Sequence, residues 1–129
     1  MTPKLNLAAQ DMDKEFLEEL FAPFGSVTVR KMFGGTGIFH RGLNFAGIMD
    51  GQFRLKADDE TVSDFLAEGM TPWEYTRGDG KVVTMSYWSV PERLLDDPDE
   101  FRIWAQNAFD AACRADQAKS PKQRKLKEI

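Results

Sequence analysis

The middle of the chain, from Val27 to Lys56, alternates short apolar stretches with glycine-containing turns. Apolar and polar residues alternate in 27–30, 43–49 and 53–56, which is the period of a half-buried strand. Asp50-Gly51 separates the last two stretches and predicts a type I′ hairpin, because both central residues of that turn have positive φ. Strands joined by such short turns run antiparallel. We therefore expect three or four antiparallel strands here.

Helical periodicity lies on either side of this region. Apolar residues recur on one helical face in 16–21, 62–66 and 101–112. The last segment follows Asp97-Pro98, which is typical of a helix start with a capping carboxylate and a proline at the first helical position. Two further strands, near 73–75 and 83–87, have a turn between them. The order α-β(3-4)-α-β(2)-α predicts a two-layer α+β fold, with an antiparallel sheet of about five or six strands and helices packed on one face.

The domain organisation follows from these patterns. We expect a flexible leader at 1–10, one domain at 11–116 and a basic disordered tail at 117–129. The single cysteine, Cys113, cannot form an internal disulfide, which is typical of a reducing compartment. The sequence has neither an apolar run long enough for a membrane span nor the apolar segment of a signal peptide. We therefore expect a cytoplasmic protein with no membrane partner.

Charge is distributed unevenly along the chain, whose net charge is −4. Residues 114–129 carry six basic and two acidic side chains, so the preceding part is strongly acidic. An acidic body repels nucleic-acid phosphates, and only the tail has the charge to attract them.

The glycines at 34, 35 and 37 are the first candidates for chemistry, since glycine-rich loops can hold phosphates. A Walker loop ends in Gly-Lys-Ser/Thr and opens a helix, whereas these glycines precede the strand-like Ile38-Phe39. We interpret the segment as a tight bend or bulge between strands.

Other candidate residues have simpler structural explanations. His40 is the only histidine, so we expect a surface or edge residue without a catalytic or metal-binding partner. Cys113 lacks a predicted activating base, and the acidic run at 96–100 is explained by helix capping. The Arg77-Gly78-Asp79 tripeptide is interpreted as part of a hairpin turn. We therefore expect no catalytic residues, no metal and no cofactor.

A basic stripe raises nucleic-acid binding as the alternative. Arg30, Lys31, Arg54 and Lys56 lie on neighbouring predicted strands, and tail residues Lys122, Arg124 and Lys125 add charge. Single-stranded nucleic acid stacks on exposed aromatic rings, which Trp73, Tyr75 and Trp88 could supply. The favoured interpretation is that these rings fill the core and the charged groups face water.

One block of residues resembles a known family. Its members are Arg30, Met32, Phe33, Gly34, Gly35 and Gly37, followed by Ile38-Phe39, Phe45-Ala46 and Asp50-Gly51. This block resembles the signature of the TfoX N-terminal domain family, which takes its name from the TfoX/Sxy regulators of natural competence. The likeness covers roughly 100 residues and is specific only in combination.

The resemblance implies the same two-layer fold and a regulatory or protein-interaction role without catalysis. The implied partner is an unidentified protein or a second copy of this chain, and nucleic acid is the less favoured alternative. The longer regulators carry a second domain after this one, so we expect a free-standing N-terminal module. The resemblance implies no catalytic or ligand-binding residue for this chain. It identifies only the positions of the signature segment.

Overall fold

The computed structural model describes residues 12–32, 34–119 and 121–125. Within them, runs of four and two strands lie between the α-helices, and a short 3₁₀ helix precedes the last α-helix. In chain order the elements are α1 Lys14–Phe21, β1 Thr28–Met32, β2 Gly35–His40, β3 Leu43–Met49, β4 Gln52–Lys56, α2 Val62–Ala67, β5 Pro72–Thr76, β6 Val82–Ser89, the 3₁₀ helix Glu92–Asp96 and α3 Pro98–Gln117.

The strands form one six-stranded sheet in the order β1-β2-β3-β4-β6-β5. Every neighbouring pair is antiparallel, which confirms the predicted α+β class. The first four strands follow the chain, but β6 rather than β5 lies next to β4. Consequently β1 and β5 are the two edges of the sheet.

The predicted Asp50-Gly51 hairpin turn is confirmed, and a second turn with positive φ at both central residues joins β2 to β3. Asp50 and Gly51 have φ values of 55° and 73°, as a type I′ turn requires. Arg41 and Gly42, between β2 and β3, have φ values of 51° and 82°.

The glycine segment differs from the expected series of strand breaks. Only Gly34, with φ of 73°, lies in the turn between β1 and β2. Gly35 and Gly37 belong to β2, where they pair with Met32 and Arg30. A Cβ atom on Gly35 would collide with the carbonyl oxygen of Ile48 on β3. Glycine is needed there because two strands approach closely, rather than because the chain bends.

Aromatic side chains from the helices and the sheet form the core. The Phe21 ring of α1 lies 5.5 Å from Phe45, 6.1 Å from Phe53 and 5.1 Å from Phe101, each in an edge-to-face arrangement. α2 contributes Phe65, whose ring contacts Trp88 and Trp104. These contacts place the helices on one face of the sheet, as predicted.

The start of α3 confirms the predicted capping carboxylate and the proline at the first helical position. The Asp97 side chain accepts a hydrogen bond from the Glu100 N–H at 3.1 Å, and Pro98 is the first helical residue. The Glu100 carboxylate accepts hydrogen bonds from the Arg93 guanidinium and from the Trp104 indole N–H. α3 extends to Gln117, and the predicted leader lies outside the described residues. None of the described helices has the length and apolarity needed to cross a membrane.

Candidate functional site

The sheet face opposite the helices, which we call the outer face, carries several of the predicted site residues. Strand register defines this face, because directly paired residues point to the same side. Phe39 pairs with Asn44, and Lys56 pairs with Tyr87. The Tyr87 hydroxyl donates to Asn44 Oδ1 at 2.6 Å, so this hydrogen bond links β6 to β3 across the outer face. Burial raises the pKa of Tyr87 to about 12, so the hydroxyl stays protonated as a donor.

The family-signature residues shape the outer face at β1 and β2. The Arg30 guanidinium lies 4.2 Å from the centroid of the Phe39 ring, in cation–π contact. Met32 lies across Gly37, where a Cβ atom would collide with the Met32 sulfur. The signature therefore places an arginine and a methionine over a strand that has no side chain at position 37. Phe33, also part of the predicted signature, lies outside the described residues.

A cleft of about 280 Å³ lies where the outer face meets the end of α3. We call it the basic cleft, because four of its lining side chains are cationic. These are Arg30 and Lys56 from the sheet, Lys119 just after α3, and Lys125 from the following segment. The lining also includes Phe39, Asn44 and Tyr87. Asp116 is the acidic residue of the lining.

The two sheet cations of the basic cleft are held by neutral groups. The Lys56 ammonium lies 5.0 Å from the Tyr87 ring centroid and donates to Ser86 Oγ at 2.9 Å. Burial lowers the pKa of Lys56, Asp58 acts in the opposite direction, and Lys119 lowers it further. Arg30 packs on Phe39. Among the described residues, neither cation forms an ion pair.

Asp116 positions the cations on the other side of the cleft. Its side chain is buried and accepts a hydrogen bond from the backbone N–H of Lys125 at 2.8 Å. The Lys119 ammonium lies 3.8 Å from the same carboxylate. The carboxylate therefore holds the segment after α3 against the end of that helix, and both lysine side chains stay exposed.

The four residues of the predicted basic stripe do not share one exposed surface in the structure. Lys31 alternates with Arg30 along β1, so it points to the other side of the sheet. Arg54 is 5% exposed and donates to the carbonyl oxygens of Met49 and Thr71. Burial also lowers the pKa of Arg54. Its guanidinium is therefore used within the fold, and it is not displayed to a ligand.

The tail residues are likewise separated. Lys125 lines the basic cleft, whereas Arg124 donates from Nε to the carbonyl oxygen of Lys119 at 3.2 Å. Lys122 is exposed and does not line the cleft. The sequence analysis did not predict three residues that line the cleft, namely Asn44, Tyr87 and Lys119. Only the basic character of the tail pointed to Lys119.

The aromatic residues of the alternative hypothesis also lie on different faces. Trp88 packs against Phe65 within the core, as the favoured interpretation expected. Tyr75 is 44% exposed, and its ring centroid lies 5.9 Å from that of Trp73. Tyr75 pairs with Val83, which shares the outer face with Tyr87 on β6. We call Trp73, Tyr75 and Val83 the apolar hairpin surface.

The two candidate reactive residues occupy packed positions. His40 donates from Nδ1 to the Ser26 carbonyl oxygen at 2.7 Å, and its ring packs edge-on against Phe24 and Phe109, each at 4.8 Å. His40 is thus a half-buried residue at a strand end. Burial raises the pKa of Cys113, which disfavours the reactive thiolate. Across 12–32, 34–119 and 121–125, no group of three or more potential metal ligands is present.

The fold and the signature segment define a small α+β domain. Its helices cover one face of the sheet, and the outer face carries the basic cleft and the apolar hairpin surface. The sequence matches the TfoX N-terminal domain family over residues 19–112, and the chain belongs to this family. It is also similar to DNA transformation protein TfoX1 of Aliivibrio fischeri (strain ATCC 700601 / ES114), with 25% identity over 133 residues. That alignment covers 99% of this chain and 63% of the relative, so the chain spans less than two thirds of the relative's length.

Proposed function

We propose that the protein is a non-enzymatic, cytoplasmic regulatory module that acts by binding another protein in the control of DNA transformation. Family membership and the similarity to TfoX1 support the regulatory context. The apolar hairpin surface is the observation that supports a protein-binding role, because exposed aromatic side chains are typical of interaction sites.

The position of the hairpin favours contact with a partner. β5 is an edge strand, so its outer side can accept a strand from another chain. Trp73 and Tyr75 lie on this strand and present rings beside that edge. A partner segment that pairs with β5 would cover both rings. Either a different protein or a second copy of this chain could supply the segment.

Adjacent valines on β6 provide a matched test of this surface. Val83 lies on the outer face, where it pairs with Tyr75 on the neighbouring strand. Val82 is 62% exposed, and its side chain points to the other face of the sheet. We expect Val83→Ser and Tyr75→Ser to weaken self-association or capture of a partner. Val82→Ser should leave both unchanged. Light scattering of the purified protein and affinity capture from the native bacterium measure these outcomes.

A monomer that captures no protein would refute the interaction proposal. Equal losses in Val82→Ser and Val83→Ser would refute the assignment to the outer face. The regulatory context is tested separately by expressing the chain in an Aliivibrio fischeri strain that lacks TfoX1. We expect a measurable change in transformation frequency, and Tyr75→Ser should reduce it. An unchanged frequency would count against the transformation-related role.

Nucleic-acid binding is the second proposal, and the gathering of Arg30 and Lys56 with Lys119 and Lys125 favours it. Binding through phosphates weakens steeply with salt, since it releases counterions. We expect removal of 119–129 to lower both the affinity for a single-stranded oligonucleotide and its salt dependence. No binding at low salt would eliminate this alternative.

A further inference from the structure

We propose that the basic cleft binds a small phosphorylated ligand through its phosphate group. This site lies apart from the apolar hairpin surface and does not depend on the protein-binding role. The four cations Arg30, Lys56, Lys119 and Lys125 supply the recognition.

The charge balance of the cleft is the first argument. Four cationic side chains line it together with the single carboxylate of Asp116. That carboxylate is buried and already occupied by the Lys125 N–H and by Lys119. Like charges gathered in one cleft repel one another, and an external anion relieves the repulsion. The chain as a whole has a net charge of −4, so the excess of positive charge in the cleft is a local feature.

The way the sheet cations are held is the second argument. Arg30 lies on the Phe39 ring, and Lys56 lies near the Tyr87 ring and Ser86 Oγ. These neutral groups orient the cations without cancelling their charge. A guanidinium has five N–H donors and an ammonium has three, so donors remain for a ligand. A phosphate is the matching acceptor, since it presents several oxygens to several donors.

The third argument concerns the size and selectivity of the ligand. A volume of about 280 Å³ lies near the lower limit of small-molecule sites, which suits a phosphate attached to a group no larger than a sugar. Tyr87 and Asn44 hydrogen-bond to each other, and the Asn44 amide nitrogen donates to the carbonyl oxygens of Ile38 and Ala46. The polar uncharged groups are therefore already paired. The cleft should recognise the charge of the phosphate rather than the hydroxyls of the sugar.

The test is calorimetric titration of the full chain with ribose 5-phosphate, inorganic phosphate and ribose. We expect the two phosphate compounds to bind with saturation and ribose to show no binding. A phosphate monoester carries nearly two charges at neutral pH, because its second pKa is about 6. Affinity should therefore fall when the pH is lowered from 7.5 to 5.5 in the same low-salt buffer.

Charge-neutralising variants locate the site. Lys56→Gln and Lys119→Gln should each weaken ribose 5-phosphate binding about tenfold, the effect expected on removing one charge-assisted hydrogen bond. Lys31→Gln and Lys81→Gln are matched controls, because both lysines are exposed and neither lines the cleft. They should bind as the unsubstituted protein does. Lys119 is exposed beyond α3, so its replacement tests the site even if Lys56→Gln alters the fold.

Three results would overturn the proposal. One is the absence of saturable phosphate binding, and another is an equal loss of affinity in the control and cleft variants. The third is binding of a single-stranded oligonucleotide without binding of ribose 5-phosphate, which would instead support the nucleic-acid alternative. Loss of protein capture in Tyr75→Ser with phosphate binding intact would separate this site from the proposed interaction surface.

Discussion

Replacement of Gly35 by alanine should destabilise the protein because two strands approach too closely for a side chain. A Cβ atom there would collide with the carbonyl oxygen of Ile48 and would also contact Met49 Cα at 3.6 Å. Both obstacles are backbone atoms of β3. A rotamer change cannot relieve the collision, so β2 and β3 must separate where Thr36 pairs with Ile48.

The expected magnitude follows from three contributions. Overpacking a well-ordered site typically costs about 1–3 kcal/mol. Stretching one hydrogen bond between β2 and β3 adds about 0.5–1.5 kcal/mol. Alanine also restricts the unfolded chain, which offsets about 0.4–1 kcal/mol. At the midpoints of these ranges, Gly35→Ala should lower the free energy of unfolding by about 2 kcal/mol.

Urea unfolding followed by tryptophan fluorescence measures this change. Gly78→Ala is the matched control, because Gly78 lies in the β5–β6 turn without positive φ and nothing lies within 4 Å of its Cβ position. The control should be neutral or slightly stabilising. Gly37→Ala should be milder than Gly35→Ala, since its nearest obstacle is the flexible side chain of Met32. Agreement of Gly35→Ala with Gly78→Ala within about 0.5 kcal/mol would refute the close-approach argument.

Three further substitutions test the core, the outer face and the acid limb of stability. Phe21→Ala should cost about 3–5 kcal/mol in urea unfolding, because a fully buried ring is removed; a loss below 1 kcal/mol would contradict the aromatic core. Tyr87→Phe should lower the free energy of unfolding by about 1 kcal/mol, because the hydrogen bond to Asn44 is lost. An unchanged midpoint of urea unfolding would show that this bond contributes nothing to stability. The hydrogen bond from Arg114 holds the pKa of Asp58 below its ordinary 3.8, so the ionised carboxylate stabilises the folded protein. This contribution to the free energy of unfolding is complete above pH 3.8 and is lost as the pH falls through the lowered pKa. Asp58→Asn should therefore flatten the decline in melting temperature on acidification, and an unaltered decline would exclude this carboxylate as a cause.

Local sequence was sufficient to predict most helices and strands of the fold. Alternation of apolar residues identified the strands, and Asp50-Gly51 identified a hairpin, because both signals depend on neighbours in the chain. Asp97-Pro98 identified the start of α3 for the same reason. The placement of β6 between β4 and β5 depends on long-range pairing, and no short motif encodes it.

The candidate site was less predictable, since it brings together residues that are far apart in sequence. Lys56 and Lys119 are separated by most of the second half of the chain, yet both line the basic cleft. The same pattern of basic residues also suggested Arg54, whose side chain the fold buries. Charge along the sequence therefore indicated the chemistry of the outer face but not which cations it exposes.

The arrangement of the sheet explains how a small domain can present two different surfaces. The rings of Phe45 on β3 and Phe101 on α3 both contact Phe21 in the core between the sheet and the helices. The outer face is therefore available for polar and aromatic groups that contribute little to the core. Along β6, Tyr87 borders the basic cleft and Val83 belongs to the apolar hairpin surface, about 13 Å apart at the usual rise per residue. The two surfaces share a strand but no side chain, so charge in the cleft and apolar area on the hairpin can change independently. In the signature segment Gly37 pairs with Arg30 and leaves room for the Met32 side chain, while the Arg30 guanidinium packs on Phe39 at the cleft, so the signature shapes the outer face without using a core position.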